Sequence, residues 1–290
     1  MFKKIFRDNF NKFSATQRGG GVLDSNSMIA KFAFLVLVVI LFVVFLALGT
    51  SFLTWFFSPS GTPTLIDGLV DGNQQLIIEQ NPNVKGSIPI IRSDNKRGGV
   101  EFTWSVWLYV TDAPTATDSK QFSHVFHKGE PNNADINSNG GISFPNNAPG
   151  LYIDNTKMKD RDNGQLGLKI IMNTFNSIDH DVIHVNDVPY RKWFNVIIRT
   201  RDQNLDVYVN GTIVNRHVLQ GVPKQNYGKV YVAMNGGFNG NISDLKYFNY
   251  SLGTTAIQSL VMKGPNLKVP GGSSKKVAPP YLGLRWYLFN

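Results

Sequence analysis

Three glutamates, Glu79, Glu101 and Glu130, are the first place to look for acid–base chemistry in these 290 residues. Glycoside hydrolysis needs two carboxyl groups about 5 to 10 Å apart across the scissile bond, one of them kept protonated. No strand-like E-x-D-x-E run sets two of these groups on one face, which leaves only aspartate pairs from distant loops. His124 and His127 stand three apart in a strand-like stretch. That spacing points them to opposite faces and spoils chelation. His180 and His184 could share a face, but surface or core histidines are the commoner use of such a pair. Asp154, Asp160, Asp162 and Asp202 fall in loop-like stretches and could hold calcium, although solvated turn residues are the commoner use of such positions. The chain has no cysteine, so disulfides, thiolate zinc sites and cysteine nucleophiles are excluded. No serine triad, phosphate loop or dinucleotide fingerprint is present. The expectation is a non-enzyme with no assigned metal ligand. If it binds glycan, Trp107 and Tyr109 are the aromatic candidates, together with loop asparagines.

The net charge of +9 is not spread over the chain. Six basic residues lie up to Lys31 and six more follow Asp244, which leaves 17 basic against 18 acidic residues between. A neutral body with cationic ends suits lipid headgroups better than a nucleic-acid groove. Nucleic acid is therefore not an expected partner.

Phe32 to Phe57 carries no charge, and the next after Lys31 is Asp67. At 1.5 Å per residue such a helix exceeds the ~30 Å hydrocarbon core. Lys31 and Phe32 mark the entry of the expected span, and Trp55 and Phe57 its interfacial aromatic end. The run is about twice as long as the apolar part of a signal peptide and has no A-x-A site after it. The basic flank predicts a cytoplasmic-side N-terminus and a body across the membrane. Ahead of the span, Phe2, Ile5, Phe6, Phe10 and Phe13 have the spacing of an interfacial helix, with an unstructured basic tail as the alternative.

The elements that must position any site are strands. "SPSGTPT", 58–64, breaks the helix. "FTWSVWLYV", 102–110, bears large side chains on both alternating faces and reads as an interior strand. Further candidates are 88–91, 122–127, 150–153, 166–174, 181–185, 193–199, 204–209, 212–218, 229–233 and 241–248, a spacing that predicts a β-sandwich. Asn210-Gly211 is the signal for a type I′ hairpin. Asn210 also heads a glycosylation sequon, as do Asn241 and Asn249, but a tight turn is a poor place for a glycan. Ile242, Leu245 and Tyr247 can share a face only if a bulge intervenes near Ser243-Asp244, where Asp244 could bond freed amides. One soluble helix is expected in 253–264, with Thr254 or Thr255 as cap. The predicted organisation is a tail at 1–31, the span at 32–57, a connector at 58–74, the sandwich at 75–266 and a linker with an apolar end at 267–290.

Three stretches in this order resemble the laminin-G-like, concanavalin A-like jelly-roll family: "FTWSVWLYV" with "HVFHKGE", "RKWFNVIIRTRDQNLDVYVNGTIVNR", and "FNGNISDLKYFNYSLGTTAIQSL". The matching positions are Trp104, Trp193, Tyr208, Asn210, Gly211, Gly240 and Asp244, with Ile242, Asn249, Leu252 and Ile257. The resemblance implies an all-β jelly-roll sandwich behind a single transmembrane α-helix. That family includes glycan binders, calcium-dependent adhesion modules, enzymes and structural domains, so it says little about function. An N-terminal span, a proline-rich connector and a cysteine-free jelly roll also resemble membrane proteins of large double-stranded DNA viruses. That implies a virion-membrane protein whose sandwich contacts other structural or capsid proteins. The alternative is a lectin-like glycan-binding attachment protein.

Overall fold

The computed structural model describes residues 28–269, apart from 94, 97–98, 113–119, 132–138, 157–164 and 176–179. The expected tail helix, the apolar C-terminal ten residues and Asp160 and Asp162 lie outside the described residues. The chain divides into two compact units at Ser58–Pro59.

The first unit contains helix α1, Met28–Phe57, which begins four residues ahead of the expected span. It is long and apolar enough to cross a membrane. Its apolar side chains are exposed all around, as a lipid-facing helix requires. The hydroxyls of Thr50 and Thr54 donate to the carbonyl oxygens of Ala47 (3.0 Å) and Thr50 (2.8 Å), so neither would enter lipid unsatisfied. The helix stops where Pro59 disfavours helical geometry at Ser58 and has no N–H to donate.

The second unit is built from β1 (Thr64–Asp71), β2 (Leu76–Ile78), β3 (Asn95–Lys96), β4 (Gly99–Asp112), β5 (Phe122–Lys128), β6 (Gly150–Asp154), β7 (Gln165–Met172), β8 (Asp181–Pro189), β9 (Trp193–Arg201), β10 (Asn204–Val209), β11 (Thr212–Val218), β12 (Val230–Val232), β13 (Asn239–Phe248) and helix α2 (Thr254–Lys263). One antiparallel sheet runs β1-β13-β4-β9-β10-β11, with β3 also paired to β4, and the other runs β2-β12-β5-β6-β7-β8. This is the expected concanavalin A-like sandwich. β4 lies between β13 and β9, in the interior position its two-sided pattern predicts. Phe102, Trp104, Val106, Leu108 and Val110 enter the core between the sheets. Burial of each side chain of this size contributes about 1.5 to 3 kcal/mol.

The outer face of β4 is covered rather than wet. Trp107 packs with Leu69, Trp193 and Val261 of α2, joined by Leu267 and Val269. The stretch 58–74, expected as a connector, contains β1, which pairs with β13, and the packing continues past residue 266 to Val269. β1 escapes a period-two reading because Leu65 and Ile66 are both buried and Gly68, at φ 106°, shifts the register before Leu69.

The anticipated bulge is present: the β13–β4 register shifts between Ser243 and Lys246, Asp244 has φ 49°, and Ile242, Leu245 and Tyr247 all join the core. The Asp244 carboxylate takes the Lys246 ammonium at 3.0 Å rather than backbone amides as expected. At the hairpin, Asn210 and Gly211 both have positive φ, at 50° and 80°. Helix α2 starts at Gly253 without a side-chain cap, so neither Thr254 nor Thr255 plays that part. Residues 88–91 form no strand and instead border the cleft described next.

Candidate functional site

Three strand ends meet at one end of the second sheet. Val230 pairs with both Ile78 and Lys128, so β2 and β5 leave, and β12 enters, side by side. The segments that continue from them, 79–91, 129–131 and 222–229, surround a cleft.

Lys128 organises it. Its side chain is buried, and its Nζ donates to the carbonyl oxygens of Asn226 (3.0 Å) and Gly228 and to Asn226 Oδ1 (3.4 Å). Asn226 Nδ2 donates back to the Lys128 carbonyl at 3.0 Å, and Asn226 Oδ1 also accepts the Gly228 N–H. Burial pulls the Lys128 pKa down to about 8, opposed by the Glu130 charge, which leaves it an ammonium at neutral pH. The effect is to clamp both neighbours of Tyr227, a residue that is nevertheless 89% exposed.

Charges and amides form the rim. Glu79 Oε2 pairs with Lys229 Nζ at 3.1 Å. The Lys229 bond is the main cause holding the Glu79 carboxyl below its ordinary value. Glu130 accepts the Tyr231 hydroxyl at 2.8 Å and the Lys229 N–H at 3.3 Å. Burial, the Glu130 hydrogen bond and the Glu130 and Glu79 charges push Tyr231 up to about 12. Gln80 Oε1 accepts the Ile90 N–H, and a Gln225–Ser93 pair of hydrogen bonds ties 222–229 to the chain just past the first segment.

Two adjoining hollows share Ile90, Lys128, Asn226 and Tyr227. The outer one, about 270 Å³, is bordered by Glu79, Gln80, Asn81, Glu130 and Lys229. The inner one, about 30 Å³, opens between the sheets against Phe102, Trp104, Ala148 and Tyr247.

Behind the cleft lies a pair of residues that the sequence reading placed on opposite faces. A register shift between His124 and Phe126 turns both imidazoles to the same side, with His124 Nε2 2.6 Å from His127 Nδ1. The Met234 N–H donates to His124 Nδ1, so a neutral His124 carries its proton on Nε2 and donates it to His127. His127 Nε2 then donates to Ser143 Oγ at 3.3 Å. Burial keeps His124 well below its ordinary value, aided by the His127 charge, and lowers His127 to about 3 against a Gly129 backbone bond. His127 also stacks on Tyr231, with ring planes 7° apart.

The other candidate residues are structural in placement. Trp107 is 2% exposed within its cluster and offers no ring face to a sugar, while Tyr109 packs on Trp193 at 5.6 Å. Trp104 stacks on Phe126 at 5.3 Å. Tyr208 lies with Ile257 of α2, under the Arg199 guanidinium. Asn210 Oδ1 accepts the Asn195 N–H, and the Gly211 carbonyl accepts from Gln258. A Cβ at Gly240 would collide with the Tyr109 carbonyl. Lys31, Phe32, Trp55 and Phe57 all lie on α1.

Among the described residues no group of three or more His, Asp or Glu is arranged for a metal. Asp154 instead accepts from Thr156 N–H and hydroxyl, and His180 bonds the Pro145 carbonyl. Glu79 and Glu130 do border one cleft, which their spacing did not reveal. Glu79 is held low, the reverse of what a general acid needs. The signal missed in the sequence is Tyr227 itself, an aromatic between Asn226 and Gly228 in an otherwise polar turn ahead of β12.

Several solved structures are similar to this chain. The receptor-binding domain of botulinum neurotoxin D is 15% identical with a TM-score of 0.44, over 67% of this chain and 43% of that one. The serotype G binding domain is 12% identical with a TM-score of 0.42, over 70% and 46%. The C/D mosaic receptor-binding domain is 14% identical with a TM-score of 0.40, over 57% and 36%. The chain thus spans less than half the length of each. No curated protein matches the sequence. The family model described as the concanavalin A-like lectin/glucanases superfamily, Laminin_G_3, matches residues 85–258, more than half of the chain, and the protein belongs to that family.

Proposed function

We propose that this chain is a single-pass, membrane-anchored recognition module that works by contact, and that its cleft binds a saccharide. The observation that carries the reading is Tyr227: an aromatic residue 89% exposed, held between two clamped residues beside a hollow bordered by amides and carboxylates. Saccharides present apolar ring faces that stack on aromatics and hydroxyls that both donate to Glu79 and Glu130 and accept from Asn226. Helix α1 tethers the module, with the basic N-terminal flank on the cytoplasmic side and the sandwich across the membrane.

The test is a glycan array probed with the full chain in detergent micelles, wild type against Tyr227→Ala. Retention of specific glycans that falls at least about tenfold in the variant, with an unchanged unfolding midpoint, supports the proposal. Binding indifferent to Tyr227, or none, overturns it.

A second reading, the structural protein of a viral membrane that touches shell proteins, is favoured by a different surface. Phe175 and Val218 are each 65% exposed and Val222 is 40% exposed, with the Phe175 N–H bonded to the Val222 carbonyl. Photocrosslinking from position 175 in purified particles or cells would identify a structural partner under this reading and none under the first.

A further inference from the structure

The two hollows differ in a way that restricts the ligand. The inner one has apolar walls from Ile90, Ile91, Phe102, Trp104, Ala148 and Tyr247, with Arg92, Lys128, Gln225 and Asn226 also lining it, and its volume is about 30 Å³. A water needs roughly 10 to 15 Å³ measured this way, so the space admits a methyl-sized group and not a chain or a second ring. The outer one, about 270 Å³, has room for a sugar ring. The shared wall contains Asn226, whose Oδ1 already accepts from Lys128 and Gly228 and whose Nδ2 gives one of its two N–H groups to the Lys128 carbonyl. The second N–H is suited to a ligand carbonyl.

We infer that the cleft selects saccharides bearing an N-acetyl group. The acetyl methyl fills the inner hollow, its carbonyl accepts from Asn226, and the sugar ring stacks on Tyr227 with its hydroxyls toward Glu79 and Glu130. A hydroxyl at the same sugar position is too small to reach the apolar walls and leaves the inner hollow unfilled. An ammonium would stand beside the Lys128 ammonium, where like charge disfavours it. The inference rests on the saccharide reading and adds the substituent.

The experiment is calorimetric titration of the full chain in micelles with a matched trio on one backbone: tri-N-acetylchitotriose, its deacetylated form and cellotriose, repeated with N-acetylgalactosamine, galactosamine and galactose. The expected result is at least about tenfold tighter binding of the acetylated member in one series, the scale on which a small apolar group is discriminated. Ala148→Val, which fills the inner hollow, should bring the acetylated sugar down to the affinity of its unsubstituted partner. Ile91→Phe, at another residue lining the inner hollow, does the same and stands in if the first variant does not fold. Equal binding within each trio overturns the inference and leaves the saccharide reading standing. Absence of binding across both series, in a protein that also retains nothing on the array, removes both.

Discussion

Asn226 shows how little of a side chain's role is visible from its type. Its oxygen accepts from Lys128 and Gly228, its nitrogen donates to the Lys128 carbonyl, and its neighbour Tyr227 is thereby held out in solvent. Lys128→Met removes the ammonium and leaves two backbone carbonyls short of a donor, which should cost about 2 kcal/mol by chemical denaturation and abolish ligand binding. Unchanged stability would mean that the loop is held by other contacts. The histidine pair makes a separate prediction. Both imidazoles are kept neutral below their ordinary value of 6.5, so below that pH the unfolded chain binds more protons than the folded one. Their contribution is intact above pH 6.5 and is lost as pH falls, by up to about 1.4 kcal/mol per histidine per pH unit, until the folded form itself takes up protons. Thermal unfolding from pH 7.5 to 5 should show this slope, and the double variant His124→Gln/His127→Gln should flatten it. An equal slope in both would contradict the assignment. Neither pair partner could be read from the sequence, because one extra residue, Val125, reverses which face His127 takes.

Elements whose signal is local were legible, and those that depend on a partner strand were not. Asn210-Gly211 declares its turn through backbone freedom, and the Ile242, Leu245 and Tyr247 spacing requires its bulge. β1 is broken by Gly68 and gains its place only by pairing with β13. The cleft draws residues from three segments that register alone brings together, so its two glutamates looked unrelated. The same dependence on register produces an ion cluster across β9, β10 and β11: Asp206 stands opposite Arg199 and Arg216 and bonds both at 2.6 Å. Asp206 is buried and Arg199 half-buried, so Asp206→Asn should leave the Arg199 charge poorly compensated and destabilise the sandwich by about 3 kcal/mol in urea. A loss below about 1 kcal/mol would show that solvent screens the cluster.

At the scale of the whole molecule, a lipid-suited helix and a sandwich with its own core are separate compact units. Deleting residues 1–58 should move the protein from the detergent phase to the aqueous phase on partitioning while its unfolding midpoint stays within about 2 °C. A fragment that aggregates or melts early would show that the sandwich depends on its anchor. The most direct test of the account joins both units in one measurement: flotation of lipid vesicles carrying the full chain, with a labelled saccharide identified on the array. Vesicles with the wild-type chain should carry the saccharide to the top of the gradient, and vesicles with Tyr227→Ala should float with as much protein and no saccharide. Protein that stays at the bottom, or saccharide that floats equally with the variant, would contradict a membrane-tethered module reading sugars through this cleft.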